Sequence, residues 1–395
     1  MYKTLFYIVS LFIYVAVFIG YGKANALYSQ TNVNTTTLTA GGTIPLYVLE
    51  ENPYSIDIHL LWKTDYETRA GNTVQASYGV YGEHFYTLNA EGVLSARHLE
   101  TLDIGWQKPF KFKPSVFNSF ITAWQDILFL GKDTSVYGIE RHTGKILWKQ
   151  TLTGSISSPI KVSHAGVIFQ TEEYKIYTLD RKTGAIKWTH TGDDDNISPS
   201  LSASPVIDAN KVYVQYPTGQ MVALDTDTGE VLWTKNLSGE KWFSDTTLTH
   251  LNSPIVHEDT LIQSSAKKNK VVLNKKTGSA LSIDTAISSV PLTTVGNVII
   301  RVENNIIYTS NILTKVSYWT QNLNTILGVK DIVQSTYYYK GRLIISTKRG
   351  KIVVLTIDTG AIIAVHKEIY IQGVPTTVAG KLIILDKNGN VRAYK

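Results

Sequence analysis

A ten-residue phrase recurs along this chain, and it constrains the fold more than any single motif does. The phrase reads Leu-Asp-x-x-Thr-Gly-x-x-x-Trp in its fullest copies. Seven copies are recognisable, at 97–106, 139–148, 179–188, 224–233, 273–278, 308–319 and 355–360. All but the first and the sixth keep the Thr-Gly pair. Repetition at a period of about 40 to 50 residues indicates one supersecondary unit that is stacked many times.

The phrase has the chemistry of a tight turn between two strands. An Asp or Asn side chain can bond the backbone just downstream, and Gly supplies the positive φ that such a turn needs. Residues before each turn alternate and are rich in β-branched side chains, as in 175–179, and a further apolar strand lies upstream, as in 167–170. Four short strands per unit is the pattern of a β-propeller blade.

Proline marks the start of several units. A Ser-Pro or Val-Pro pair opens five of them: Ser158-Pro159, Ser204-Pro205, Ser253-Pro254, Val290-Pro291 and Val374-Pro375. A proline at the start of a strand costs no ladder hydrogen bond. These pairs therefore predict where the first strand of a blade begins.

The two ends of the chain together supply one more unit. Residues 381–395 provide two strands of a blade and stop before the strand that carries Trp, whereas 58–64 reads like 146–150 without its turn. We therefore predict an all-β fold, an eight-bladed β-propeller of four-stranded blades. It is closed by pairing the N-terminal strand with the C-terminal blade, which covers sheet edges that would otherwise invite aggregation.

Three parts are predicted along the chain. Residues 1–26 read as a signal peptide, because an apolar run follows Lys3 and Ala24-Asn25-Ala26 is a small-x-small cleavage site. An uncleaved membrane anchor is the alternative, since the run is only slightly short for a span. Residues 27–57 are rich in Ser, Thr, Asn and Gly and are expected to be a flexible leader, and 58–395 form the propeller.

Composition and motifs exclude several functions. The chain has no cysteine, which excludes disulfides, thiolate metal sites, cysteine nucleophiles and a lipid-bearing amino-terminal cysteine. Loss of Lys3 and Lys23 with the signal lowers the formal net charge from +6 to +4, too mild an excess to indicate nucleic acid. No nucleophile elbow, phosphate loop or dinucleotide fingerprint occurs in the mature chain. We predict no catalytic residues, no cofactor and no metal site.

Two groups of residues nevertheless have metal-binding chemistry. His250 and His257 are the closest histidine pair, and we interpret them as solvated or hydrogen-bonded side chains. Asp193-Asp194-Asp195-Asn196 offers oxygen ligands to a cation. No further ligands follow at a fixed spacing, so a solvated loop is the favoured interpretation.

Two larger groups have the chemistry of binding surfaces. Six tryptophans recur at one place in the repeat: Trp62, Trp106, Trp148, Trp188, Trp233 and Trp319. Their fixed place favours packing between blades over a stacking platform for a ligand. Five lysines cluster on the fifth blade: Lys267, Lys268, Lys270, Lys275 and Lys276. We interpret them as a solvated rim, with contact to anionic lipid or an acidic protein as the alternative.

The repeats resemble the pyrroloquinoline-quinone-type propeller repeat, and residues 58–395 look like the B component of the bacterial outer-membrane β-barrel assembly machinery. This resemblance implies a non-enzymatic periplasmic scaffold that is held at the outer membrane through its partners. The scaffold would bind the periplasmic domains of the barrel-forming subunit and aid insertion of outer-membrane proteins. Unfolded outer-membrane proteins are a second expected partner; nucleic acid is not one, and membrane contact would be mainly indirect.

The resemblance also implies a partner-binding site in loops at the starts of neighbouring mid-ring blades. In this sequence the loops correspond to 196–202 and 241–245. The partner-binding residues so implied are Ile197, Leu201, Trp242, Phe243 and Asp245. Trp242 and Phe243 stand out independently, because they lie in a long insertion outside the repeated strand positions and suit an interface anchor. The alternative is that they pack over the mouth of the ring as a local cap.

Two other functions fit such a ring. A quinone-dependent sugar or alcohol dehydrogenase resembles this fold but needs a calcium-bound cofactor at the ring centre, held by convergent carboxylates and basic groups. This chain lacks the long insertions that usually build the substrate mouth of those enzymes. The other alternative is a different protein-binding propeller of the cell envelope, such as a sensor ectodomain or an adhesive protein.

Overall fold

Eight antiparallel sheets of four strands each make up this protein. The computed structural model describes thirteen stretches of the chain: 60–63, 77–89, 92–110, 119–193, 202–216, 218–237, 253–264, 270–284, 288–328, 330–367, 369–378, 380–386 and 391–395. One helical turn, α1 (Asn324–Leu327), interrupts the strands of this part. The predicted eight-bladed, four-stranded architecture is confirmed.

Blades 1 to 4 follow one another along the chain after β1 (Leu60–Lys63). Blade 1 consists of β2 (Ser77–Tyr81), β3 (His84–Leu88), β4 (Val93–His98) and β5 (Ile104–Pro109). Blade 2 consists of β6 (Ser119–Trp124), β7 (Ile127–Lys132), β8 (Ser135–Glu140) and β9 (Ile146–Thr151). Blade 3 consists of β10 (Lys161–Val162), β11 (Val167–Gln170), β12 (Lys175–Leu179) and β13 (Ile186–Thr191). Blade 4 consists of β14 (Val206–Asp208), β15 (Lys211–Gln215), β16 (Gln220–Asp225) and β17 (Val231–Asn236).

Blades 5 to 8 continue the pattern. Blade 5 consists of β18 (Ile255–His257), β19 (Thr260–Ser264), β20 (Lys270–Asn274) and β21 (Ala280–Asp284). Blade 6 consists of β22 (Thr293–Val295), β23 (Val298–Glu303), β24 (Ile306–Asn311) and β25 (Ser317–Asn322). Blade 7 consists of β26 (Val333–Tyr339), β27 (Arg342–Thr347), β28 (Ile352–Thr356) and β29 (Ile362–His366). Blade 8 consists of β30 (Ile371–Val378), β31 (Lys381–Asp386), β32 (Val391–Tyr394) and β1.

Blade 8 draws its strands from both ends of the chain. Its sheet order is β30, β31, β32, β1, and β1 pairs antiparallel with β32, with Lys63 opposite Arg392. Pro375 differs from the other unit-opening prolines because it lies inside β30, where the register shifts between Gln372 and Thr376. β30 is an edge strand of its sheet, and an edge strand with a register break tolerates proline.

The order of strands defines two faces of the ring. In each blade the first strand lies at the channel, and first strands of neighbouring blades contact each other, as β2 and β6 do. Because successive strands run in opposite directions, the hairpin after the first strand and the turn after the third emerge on one side, here called the turn face. The second hairpin and the connection to the next blade emerge on the other side, here called the loop face.

The hydrophobic core lies between blades rather than at one centre. In the cluster between blades 2 and 3, Phe129 and Trp148 pack against Val167, Phe169 and Leu179. The middle strands are therefore covered on both sides, and every residue of β11 is buried. This explains their continuous runs of Val, Ile and aromatic residues.

The repeated turn follows the predicted chemistry. In blade 3 the Oδ1 of Asp180 accepts hydrogen bonds from the backbone N–H groups of Lys182 (2.9 Å) and Thr183 (2.8 Å). The N–H of Gly184, whose φ is 74°, donates to the carbonyl oxygen of Asp180 at 2.9 Å. Hydrogen bonds from Thr183 hold the pKa of Asp180 below its ordinary value, so the carboxylate stays charged as an acceptor.

A tryptophan of one blade meets the turn of the next. The Nε1–H of Trp188 donates to the carbonyl oxygen of Thr226 at 2.9 Å, and a Cβ added to Gly229 would lie 2.6 Å from the indole Cδ2. Five joints share this arrangement: Trp106 with Gly144, Trp148 with Gly184, Trp188 with Gly229, Trp233 with Gly278, and Trp319 with Gly360. The interpretation of these five tryptophans as packing residues is confirmed; the side chain of Trp62 lies outside the described part.

Where the tryptophan is missing, the glycine is missing too. Ser282 of blade 5 occupies the position of Trp188, because Ser282 pairs with Val272 as Trp188 pairs with Thr178. In the turn of blade 6 the corresponding positive-φ residue is Lys315, with φ 62°. Gly thus stands in each of the five turns onto which the preceding blade is seen to bring an indole.

We predict that alanine at Gly229 is far more destabilising than alanine at Gly82. Both glycines have positive φ, but the space around Gly82 is empty to 4 Å. Gly82→Ala should lose only the backbone term of about 1–2 kcal/mol, whereas Gly229→Ala adds overpacking against Trp188 of about 1–3 kcal/mol. Urea unfolding of both variants measures the difference, and equal losses would contradict the role of the indole.

The joint between blades 5 and 6 offers a second prediction. Ser282→Trp alone should be destabilising because its indole meets the Lys315 side chain, and Lys315→Gly alone should have a small effect. The double variant should be more stable than the sum of the two, with a favourable coupling of about 1–2 kcal/mol. A double-mutant cycle by urea unfolding tests this, and strict additivity would show that no new joint has formed.

Candidate partner-binding site

The five partner-binding residues implied by the resemblance lie outside the described residues: Ile197, Leu201, Trp242, Phe243 and Asp245. Their role stays a prediction. The flanks of both loops are described, however. The first loop leaves blade 3 after Asp193 and returns at Ser202, and the second leaves blade 4 after Leu237 and returns at Ser253. Both are connections between blades, so both begin and end on the loop face.

The first loop starts from a side-chain clamp. Gln220, at the start of β16, binds Asp193 twice: its Nε2 donates to the Asp193 Oδ2 at 2.8 Å, and its Oε1 accepts from the Asp193 N–H at 3.1 Å. The preceding Gly192 lies against the ring of Tyr216, where an added Cβ would be 2.6 Å away. Blade 4 thus fixes the point at which the chain leaves blade 3.

A partly buried polar contact supports this clamp. The Nδ1 of His190 lies 3.0 Å from the hydroxyl oxygen of Tyr216, and the rings are 6.0 Å apart. Burial lowers the pKa of His190 more than the nearby Asp193 raises it, and burial raises the pKa of Tyr216. Both groups are therefore neutral near pH 7, and the carboxylate of Asp193 has Gln220 as its bonding partner.

The first loop ends on blade 3. The N–H of Ser202 donates to the carbonyl oxygen of Ser157 at 2.8 Å, and their hydroxyl oxygens are also 2.8 Å apart. One residue later, the carbonyl oxygen of Ala203 accepts from the Nε2 of Gln170 at 2.7 Å. The loop between blades 3 and 4 is thus held by blade 4 at its start and by blade 3 at its end.

The second loop shares a base with the first. The N–H of Leu237, which is fully buried, donates to the carbonyl oxygen of Gly219 at 2.9 Å. Where the second loop returns, the hydroxyl of Ser253 accepts from the N–H of Ser204 at 3.0 Å. A backbone-to-side-chain hydrogen bond therefore links the returning ends of both loops.

Sequence reasoning located these loops but missed their supports. Ser204 and Ser253 were visible as strand-opening residues, yet nothing in the sequence pairs them with each other. Gln220 carries no motif, and it is 27 residues from Asp193 along the chain. Only the packing of blade 4 on blade 3 brings these groups together.

The structure describes part of the other candidate groups. His257 is buried in β18, where its Nε2 has no hydrogen-bond partner in the described part of the chain, and His250 lies outside that part. Lys275 binds Asp208 of blade 4 at 2.9 Å, and Lys276 lies 3.6 Å from Asp259. In the described stretches, no three His, Cys, Asp or Glu side chains converge as metal ligands. No helix there has the length and apolarity to span a membrane.

Comparison with solved structures shows shared propeller folds at low identity. BamB from Moraxella catarrhalis is 18% identical with a TM-score of 0.67, covering 86% of this chain and 98% of that one. The designed protein Ika8 is 15% identical with a TM-score of 0.63, covering 82% and 97%. Quinohemoprotein alcohol dehydrogenase from Comamonas testosteroni is 15% identical with a TM-score of 0.61, covering 86% and 76%.

Sequence comparison gives the family. No protein with a curated description matches this sequence. The profile of the outer membrane protein assembly factor BamB matches residues 59–290, which is well over half of the 395 residues and runs from β1 to the start of blade 6. The chain therefore belongs to the family of the outer membrane protein assembly factor BamB.

Proposed function

We propose that this protein is a non-enzymatic periplasmic scaffold of the machinery that assembles β-barrel proteins in the outer membrane. It binds the periplasmic domains of the barrel-forming subunit through loops 194–201 and 238–252. The observation that carries this proposal is the shared base of the two loops: hydrogen bonds from blades 3, 4 and 5 fix their flanks on one face of the ring. Family membership supports it independently.

Fixed loop bases favour binding. An interface loses free energy when loops and side chains must be ordered on association, and a loop whose ends are already held loses less. Trp242 and Phe243 provide the large aromatic anchors that dominate many interfaces. The neighbouring Asp245 and the apolar Ile197 and Leu201 complete a mixed surface suited to a folded protein domain.

The outermost strands offer a place for the second partner, unfolded outer-membrane proteins. In β9 and β17 the residues before the tryptophan are nearly half exposed: Ile146, Leu147, Val231 and Leu232. Each of these strands is the last of its sheet, so its outer backbone groups have no neighbouring strand in the blade. An extended segment can add to such an edge by β-augmentation.

Export and position follow from the same proposal. Residues 1–26 direct the chain to the periplasm, and 27–57 connect this signal to the ring. Because the chain has no cysteine for acylation, binding to the barrel subunit is what holds the ring at the outer membrane.

A quinone-dependent dehydrogenase is the alternative, favoured by the structural likeness to the Comamonas testosteroni enzyme. Its cofactor and calcium need carboxylates at the ring centre. On the first strands of the eight blades, as far as the structure assigns them, Asp208 is the one carboxylate, and Lys275 binds it. Titration with pyrroloquinoline quinone and Ca²⁺, followed by a dye-linked assay with alcohols and sugars, distinguishes the two functions.

We predict that the exported chain binds the periplasmic domains of the barrel-forming subunit from the same organism. The double variant Trp242→Ala/Phe243→Ala should bind at least about tenfold more weakly, because an anchoring aromatic contributes about 2 kcal/mol. Leu313→Ala, which removes an exposed apolar side chain from the turn face, is the control and should bind normally. Calorimetry measures all three.

Each outcome of that experiment has a meaning. Normal binding by the double variant would remove the aromatic pair from the interface and keep the scaffold. Absence of binding by the unaltered, folded chain would overturn the scaffold itself and leave the quinone titration as the deciding measurement.

Gln220 provides a test of the loop base. Gln220→Met keeps the side-chain length but loses both hydrogen bonds to Asp193, so the partner should dissociate faster. Gln215→Met removes a buried glutamine of the same blade that donates to the backbone of Tyr216. Both variants should lose about 1 kcal/mol of stability, but only Gln220→Met should raise the dissociation rate in surface plasmon resonance. Equal rates would separate the clamp from binding.

A further inference from the structure

We propose that the central channel, approached from the turn face, binds a small hydroxyl-bearing anion, either a carboxylate or a phosphate, with Lys161 as its positive anchor. This site is separate from the loop-face partner site. Four observations carry it: the level of Lys161 in the ring, the charges on the channel strands, the hydroxyl groups across the channel, and the cations at its mouth.

Strand register places Lys161 in one layer of the channel. In each blade a hairpin turn joins the first strand to the second. The third residue before this turn pairs with an apolar residue of the second strand. The eight equivalent residues are Gly79, Thr122, Lys161, Val206, Ile255, Thr293, Tyr337 and Thr376. Lys161 is the charged member of this layer.

The Lys161 side chain lies on the face of β10 that is turned towards blade 4. Its neighbours Ile160 and Val162 both pack into the cluster between blades 2 and 3, and side chains alternate along a strand, so Lys161 lies on the other face. β10 is the strand of blade 3 next to the channel, and the Lys161 side chain is exposed to solvent there. Surrounding protein nevertheless replaces part of its hydration, and this burial lowers the pKa of its ammonium.

No carboxylate neutralises Lys161 in the described part of the channel. Of the residues assigned to the first strands of the blades, only Lys161 and Asp208 carry a formal charge at neutral pH. Asp208 is bound by Lys275 at 2.9 Å. A partly desolvated cation without a counter-ion is unfavourable, and an anion that forms charge-assisted hydrogen bonds with it removes this penalty.

Hydroxyl groups occupy the other side of the ring. Blade 7 lies opposite blade 3 in a ring of eight, and its Tyr337 shares the layer of Lys161. The hydroxyl oxygen of Tyr337 lies 3.1 Å from the Oγ1 of Thr377, and that of Tyr78 lies 3.5 Å from the Oγ1 of Thr376. Burial raises the pKa of Tyr78 to about 12, so its hydroxyl remains a neutral donor. Such a wall suits the hydroxyl groups of a sugar acid or sugar phosphate.

Two arginines stand at the turn-face mouth next to blade 3. The guanidinium of Arg141 lies 5.2 Å from the ring centre of Tyr81, and that of Arg181 lies 5.6 Å from that of Trp124. Tyr81 and Trp124 end the first strands of blades 1 and 2, so both cations are held above the channel rim.

The charge of these arginines does not depend on pH near neutrality, so each adds positive potential at the mouth. The Nε2 of His98 lies 3.7 Å from Glu83, and the Nε2 of His142 lies 3.5 Å from Asp126. These histidines offset the two carboxylates when they are protonated.

Calorimetric titration of the exported chain tests the site with four probes: gluconate, glucose 6-phosphate, inorganic phosphate and glucose. We expect gluconate and glucose 6-phosphate to bind more tightly than phosphate, and glucose not to bind. Lys161→Met should weaken both organic anions at least about tenfold, the scale of one charge-assisted hydrogen bond. Lys108→Met, which removes a lysine from the outer strand of blade 1, is the matched control and should leave binding unchanged.

A second measurement reports on Lys161 directly. In ¹³C NMR of the reductively methylated chain, the signal absent from Lys161→Met should titrate at a lower pH than the other lysines and shift upward in pH when gluconate is added. Anion binding that persists in Lys161→Met, or is lost equally in Lys108→Met, would overturn the proposal, as would an unaltered Lys161 titration with saturating gluconate. Thermal unfolding of both variants verifies that each is folded.

Discussion

The contact between a tryptophan and a glycine of the next blade is the interaction on which this ring depends. It couples two features that the sequence repeats separately, because the indole fills the space that a side chain at the glycine would need. Its Nε1–H also satisfies a carbonyl oxygen of the neighbouring turn, as at Trp188 and Thr226. One contact thus couples the packing of two blades to the conformation of the turn, and it is described at five of the eight boundaries.

Much of the fold follows from sequence because its determinants are local. The turn that begins at Asp180 is specified within a few residues, and the alternation of its flanking strands is visible without knowledge of their neighbours. The site is different. The bonds from Asp193 to Gln220 and from Ser204 to Ser253 join residues that are far apart in sequence and have no periodic signal. The exceptional position of Pro375 likewise depends on a register shift that composition does not reveal.

The two faces of the ring have different chemistry for a topological reason. Turns on one face are short, repeated and tied to blade packing, so their variation is limited to exposed positions such as His142 and Lys182. Connections on the other face differ in length from blade to blade, and they can lengthen provided that their ends are held. The clamp at Asp193 and the bond at Ser253 hold them. The proposed partner site and the proposed channel site can therefore change independently.

The tryptophan contact is described at five of the eight boundaries between blades, so the ring is not uniformly stiff. Ser282 replaces the indole between blades 5 and 6, Ala364 occupies its position in blade 7, and the side chain of Trp62 in blade 8 lies outside the described part. Blades 1 to 5 thus form one stiff arc and blades 6 and 7 a shorter one. Under thermal or tensile stress the ring should open between these arcs. Both loop bases lie within the longer arc. Opening of the ring between the arcs would therefore leave the proposed partner-binding site intact.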